Sequence, residues 1–177
     1  MAEFEKTRGR EREQIPFGFY EQALKSRAEF HERQRNGRLV VKKSEVVKEL
    51  ARQGHLEQFL FPGVIADTAL QDWYVFVHDI KKHSGRHTHQ GGLVLFILEG
   101  RGWTVVNGVR HDWKEGDLVL LPLMPGGVEH QHFNAEVGTG CKWMALINIP
   151  MWNEGASDLT QGEVNEDFKK KYGDAIS

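Results

Sequence analysis

Two kinds of hydrophobic periodicity divide the chain. Between residues 17 and 36, Tyr20, Leu24, Ala28 and His31 recur at intervals of four and three, while Glu21, Lys25, Glu29 and Arg33 alternate in sign every four residues. That pattern predicts a helix with a charged solvent face, stopped by Asn36-Gly37. Residues 38 to 71 carry weaker signals. Leu39-Val40-Val41 reads as a short strand, Ser44 as the cap of a short helix to about Arg52 ended by Gly54, and Phe59 to Gly63 as an apolar stretch that turns. From residue 72 short strands take over: Tyr74 to Ile80, a nearly continuous apolar run from Leu93 to Leu98, Trp103 to Val106, Val109 to Trp113, Leu118 to Leu121, Glu129 to Phe133 and Lys142 to Ile149. Asn107-Gly108 between two of them is a two-residue hairpin signal. After Pro150 the chain is polar, with one last helical turn near Phe168.

Many short strands separated by Gly, Pro and Asn turns predict an all-β, antiparallel barrel or jelly roll. The expected layout is a charged and helical extension over residues 1–71, a barrel core over 72–150 and a polar tail over 151–177. Composition agrees with one domain: 177 residues, 40% of them hydrophobic, supply a single core, and 19 glycines suit a turn-rich fold. A formal charge of −2 argues against a nucleic-acid partner, because phosphate binding needs a basic excess. The single cysteine, Cys141, forms no internal disulfide and is expected to be buried. No apolar run approaches the roughly 18 residues of a membrane span, and residues 1–14 are charged, so the expected location is the cytoplasm, with no membrane partner. Exposed edge strands beside an appended helix predict a homodimer or higher homo-oligomer, with the N-terminal segment as the exchanged element.

The candidate chemistry lies in histidines. In Gly85-Arg86-His87-Thr88-His89 two imidazoles sit at i and i+2. On a strand they share a face, with Cα atoms roughly 6.5–7 Å apart, and can converge on one ion at bonds of about 2.1 Å. A third ligand must come from a neighbouring strand, and His130-Gln131-His132 offers a second alternating pair. His31 and His111 read as exposed, His55 as lying near a helix end and His83 as a loop residue. No Ser-His-Asp or Cys-His nucleophilic arrangement is visible.

These two segments resemble the paired motifs of the cupin superfamily. His87, His89 and Gly100 fall on the first motif, and Gly116, Pro122, His130 and Asn134 on the second. The resemblance covers residues 72 to 150 and implies a cupin jelly roll holding one divalent metal ion through His87, His89 and His130. The glutamate of the first motif is replaced by Leu93. A three-histidine site keeps the full charge of the ion, favours a chelating anionic ligand and leaves up to about three open positions.

Among cupins lacking that glutamate, the chain is similar to the gentisate and salicylate ring-cleaving dioxygenases. His87 to Gly100, Gly116 to Pro122 and His130 to Asn134 have their spacing. The resemblance implies ferrous iron, with Mn, Ni or Zn as other occupants, and dioxygen as co-substrate. It also implies a substrate-facing, proton-handling role for His132. Those enzymes carry a substrate-binding arginine where this chain has Leu95, so a catechol-like or other hydroxylated aromatic, or a β-diketone, suits the pocket better than a carboxylate-anchored substrate. Leu95, Phe96, Trp103, Phe133 and Trp143 are the expected apolar wall for such a flat ligand. Two other readings stay open: a non-redox metal-dependent isomerase, lyase or decarboxylase, and a ligand-binding or sensor module.

Overall fold

The computed structural model describes residues 18–155 and 159–173; the charged segment at 1–14 lies outside them. The chain divides into two compact units, Met1–Leu39 with Asp67–Leu70, and Val40–Ala66 with Gln71–Ser177.

The described part of the first unit is built on helix α1, Phe19–Asn36. Gly37 caps it, donating its N–H to the Arg33 carbonyl at 2.7 Å. Pairs such as Lys25–Glu29 and Arg35–Glu32 line its surface as the sequence period implied. None of its residues is buried. Arg38 grips Asp67 with two hydrogen bonds of 2.9 Å.

The second unit is a jelly roll. Its strands are β1 Val47–Ala51, β2 Gly54–Leu60, β3 Trp73–Asp79, β4 Arg86–His89, β5 Leu93–Glu99, β6 Arg101–Val106, β7 Val109–Lys114, β8 Leu118–Leu121, β9 Val128–Asn134, β10 Lys142–Asn148 and β11 Thr160–Glu163. They form a six-stranded sheet, β1-β2-β3-β10-β5-β8, and a five-stranded sheet, β11-β4-β9-β6-β7. Helices α2, Ile149–Glu154, and α3, Glu166–Tyr172, follow β10 and β11.

Alternation builds the core. Leu93, Leu95 and Ile97 of β5 and Trp143, Ala145 and Ile147 of β10 all point inward and are at most 4% exposed. The same period turns Phe96 and Leu98 outward, so β5 is an alternating strand rather than one buried on both faces. The β6–β7 hairpin turns at Asn107-Gly108, where both residues have positive φ (48° and 82°) and bring Val106 opposite Val109.

Three local expectations give way. Residues 44–52 are not a helix: a 3-10 turn, Lys43–Glu45, leads into β1. The reason is the Arg52-Gln53 turn, which folds β1 onto β2 with Ala51 opposite Gly54. His55 sits on β2, and the helix end it lies near is the first turn of α3, through Asp167. Leu39–Val41 forms no strand; only Arg38 makes an isolated bridge, to Thr68. The sheets also reach beyond residues 72–150, because β1 and β2 extend one sheet and β11 pairs with β4 in the other. Residues 1–71 are therefore more than a helical extension, and residues 151–177 more than a polar tail. No described helix is long and apolar enough to cross a membrane.

Candidate metal centre

Strand pairing assembles the three histidines. Antiparallel β4 and β9 place His87 directly opposite His130, and His89 opposite Val128. His87 and His89 share a face of β4, so the third imidazole arrives from across the ladder. The three rings form a triangle with centroids 4.5 Å apart on every side. Among the described residues they form the group of side chains able to hold an ion, with all ligand atoms within 4.8 Å of one another. No carboxylate joins them, and Leu93, in the place of the motif glutamate, is a buried apolar wall.

Backbone carbonyls set the tautomers. His89 donates Nδ1–H to the Gln90 carbonyl at 2.8 Å, and His130 donates Nδ1–H to the Val128 carbonyl at 3.0 Å. Each Nε2 is left as a lone pair, the form a metal takes. Nε2 of His130 lies 2.9 Å from Nε2 of His87. Two bonds of about 2.1 Å at a right angle would separate the nitrogens by roughly 3.0 Å, so this pair fits two adjacent positions around one ion. Burial, followed by the neighbouring imidazoles, pushes His87 far below its ordinary pKa and His130 down to about 3. Burial lowers His89 as well. All three are neutral ligands at physiological pH, and the donor set fits a divalent metal.

His132 sits two residues beyond His130 on β9 and is 3% exposed. Its Nδ1 meets the Thr104 hydroxyl at 2.8 Å, and Trp113 donates Nε1–H to that same oxygen at 2.8 Å. The indole can only donate, so the hydroxyl is free to give its own proton to His132 Nδ1. That arrangement leaves His132 with an Nε2–H. Its ring lies 5.3 Å from that of His130 and 4.7 Å from that of Trp143.

A cavity of about 460 Å³ opens over these groups. Leu95, Trp143 and His132 line it, as expected. Phe96, Trp103 and Phe133 do not. Strand phase is the reason: Leu95, Thr104 and His132 point in, so their neighbours point out. Phe96 is 41% exposed, and Trp103 and Phe133 stack on one another at 5.0 Å with the Arg110 guanidinium over Trp103.

Sequence reasoning missed several cavity residues, four of them aromatic rings close to the cluster or on the facing sheet. Tyr74, Phe76 and His78 share the inner face of β3, and Trp152 of α2 packs its ring 4.5 Å from His89. Period-two alternation along β3 carried the signal for the β3 residues. His83 stays in the loop before β4, against Ser84 and Gln131. His55 pairs with Asp167 at 2.9 Å. Cys141 is fully buried and its thiol is pushed up to about 12, so it is no nucleophile.

Two expected results follow from this geometry. His78 is 2% exposed, and burial lowers it from an ordinary 6.5 to about 3. A histidine depressed in the folded state adds stability above pH 6.5 that is lost as pH falls toward 3, because the unfolded chain binds the proton first. Its share of the loss at pH 5 is about 2 kcal/mol. Urea midpoints of the metal-free protein at pH 7.5 and 5 should differ, and His78→Gln should narrow the gap; an unchanged gap refutes the assignment. Second, the loop after His89 is clamped on the end of β8. A Cβ at Gly91 would stand 1.7 Å from the Pro122 carbonyl oxygen and 3.1 Å from that of Leu121. Backbone cannot swing aside as a side chain does, so Gly91→Ala should cost about 3 kcal/mol, and an unaltered urea midpoint would contradict the packing.

Residues 76–147 match the family model of the cupin domain. Those residues form a cupin domain. The two antiparallel sheets resemble those of several solved structures. The polyketide cyclase RemF from Streptomyces resistomycificus aligns with a TM-score of 0.53 at 14% identity, covering 76% of this chain and 92% of that one. The Streptomyces nucleoside dehydratase Pac13 gives 0.51 at 11% identity, covering 72% and 92%. Salicylate 1,2-dioxygenase from Pseudoaminobacter salicylatoxidans gives 0.45 at 24% identity, covering 59% of this chain and 30% of the dioxygenase chain. No curated protein matches the sequence.

Proposed function

We propose that this protein is a non-haem, Fe(II)-dependent dioxygenase that cleaves a carbon–carbon bond of a hydroxylated aromatic or diketone-type substrate. The observation that carries the reading is the cluster of three neutral imidazoles, set in the wall of a cavity that aromatic side chains help to line. His87, His89 and His130 would hold the ion. Ferrous iron there supplies Lewis acidity toward chelating oxygens and the electrons that dioxygen chemistry requires. Leu95 and Trp143 would give the substrate an apolar, flat surface beside the cluster. His132 presents an N–H beside the cluster, supported from behind by Thr104 and Trp113. It would donate a hydrogen bond to a substrate oxygen and exchange a proton there.

A second reading is non-redox: the cluster would act as a Lewis acid with Zn, Mn or Ni in an isomerase, lyase or decarboxylase. Support comes from the donor set, which suits those metals equally. The structural neighbours include a polyketide cyclase and a nucleoside dehydratase, by their names enzymes of non-redox reactions on a similar fold.

Oxygen uptake decides between them. Protein purified anaerobically and loaded with Fe(II) should consume dioxygen stoichiometrically with one class among catechols, hydroxybenzoates and β-diketones. Turnover of substrate under strict anaerobiosis would establish the non-redox reading instead.

A further inference from the structure

The cavity has a second polar pole, on the sheet facing the histidines. Tyr74 lies on the inner face of β3, in the six-stranded sheet, whereas the three histidines lie on β4 and β9 in the other. Both groups line the same cavity. Phe61 and Phe76 brace the Tyr74 ring at 4.9 and 4.7 Å between centroids. Behind the phenol stands Gln58, 7% exposed, whose Nε2 donates to Glu49 Oε2 at 3.0 Å. The Gln58 amide and the Glu49 carboxylate both lie close enough to the phenol to influence its ionisation.

Proton bookkeeping fixes the roles. The carboxylate of Glu49 only accepts, so it takes one amide hydrogen of Gln58. The second amide hydrogen is then available to the phenol oxygen, an arrangement that leaves the phenol its own hydrogen to donate. Burial, with the Glu49 charge nearby, pushes Tyr74 up to about 12, so the phenol stays protonated throughout the physiological range. The Gln58 Oε1 is buried without a partner. A phenol O–H and a buried amide oxygen without a partner therefore lie near one another on the side of the cavity that Glu49 also lines. Groups left in that state cost free energy until a ligand pairs with them, which turns them into a selective contact.

We propose that Tyr74, positioned by Gln58 and Glu49, selects substrates that carry a hydroxyl or oxo group remote from their metal-chelating oxygens. The substrate is thus two-ended: a chelating pair of oxygens at the histidine cluster, a flat apolar middle, and a polar group at Tyr74. This inference rests on the chelation proposed above.

Two catechols of equal shape test it. Hydroxytyrosol ends its side chain in a hydroxyl, and propylcatechol carries a methyl in the same place. Calorimetric titration into the protein loaded with zinc, which binds without consuming oxygen, should show hydroxytyrosol favoured about tenfold. Tyr74→Phe, which keeps the ring packing, should abolish the preference while leaving propylcatechol affinity intact. Gln58→Met should reduce the preference, since the phenol loses its support. Equal binding of the two catechols to the wild type, or a preference that survives Tyr74→Phe, overturns the inference and leaves the chelation reading standing. If neither catechol binds, the chelation reading fails and this one falls with it.

Discussion

His130→Ala should reduce bound metal from about one equivalent to nearly none, with affinity falling by roughly 100-fold or more, beyond the usual effect of losing a mere outer-shell partner. His130 is the one ligand that comes from β9; the other two are successive inward residues of β4. Without it, two imidazoles on one strand remain, and nothing among the described residues replaces the third: His132 is tied to Thr104, and His83 to Ser84 and Gln131. His130 also has its tautomer locked by the Val128 carbonyl, so the wild-type site loses little entropy in binding. Metal analysis of protein reconstituted with Fe(II) or Zn(II) and desalted measures the loss. His111→Ala and His83→Ala serve as controls and should retain full occupancy. Retention of metal by His130→Ala, or its loss in either control, would place the centre elsewhere.

The parts of this picture that were legible in the sequence share one property: they are set by local pattern. The strands from β3 to β10 alternate or run apolar because one face is buried. Asn107-Gly108 marks its hairpin because few residue pairs tolerate two positive φ values. The histidine pairs stand out because spacing i, i+2 puts two side chains on one face. What was missed depended on partners distant in the chain. In β1, Val47-Lys48-Glu49-Leu50-Ala51 lies at a sheet edge with its first three residues exposed, so no alternation announces it. In β11, Thr160-Gln161-Gly162-Glu163 is exposed throughout and is a strand only because β4 offers it a ladder. The pocket wall failed for a related reason. Trp103 is more hydrophobic than Thr104, yet Thr104 is the one fully buried, because its hydroxyl joins His132 to Trp113. One buried hydrogen-bonded pair sets the phase of β6, and with it the side on which two aromatics fall.

That same network gives His132 a test independent of the metal. His132→Phe keeps a flat ring against Trp143 and touches neither β4 nor the Nε2 atoms of the triangle. Metal occupancy should therefore be unchanged. The Thr104 hydroxyl loses its acceptor at a cost of about 1–3 kcal/mol, which urea unfolding will register. Turnover, once a substrate is in hand, should fall by roughly 10²–10⁴, the range for removing a group that moves a proton. A purely structural role would instead lower stability and leave kcat per bound iron near wild type. The comparison must use kcat rather than substrate affinity, because the lost N–H is expected to act as charge develops on the substrate oxygen rather than in initial binding. Thr104→Val separates positioning from proton transfer: it leaves the His132 imidazole in the cavity without its partner at Nδ1. Its turnover should lie between those of wild type and His132→Phe, with a shifted pH profile. If Thr104→Val matches wild type at every pH while His132→Phe is impaired, the imidazole acts without the support of Thr104 and Trp113. If both variants match wild type per bound iron, the proton-handling role belongs to another group in the cavity, and His78 is the remaining imidazole on its wall.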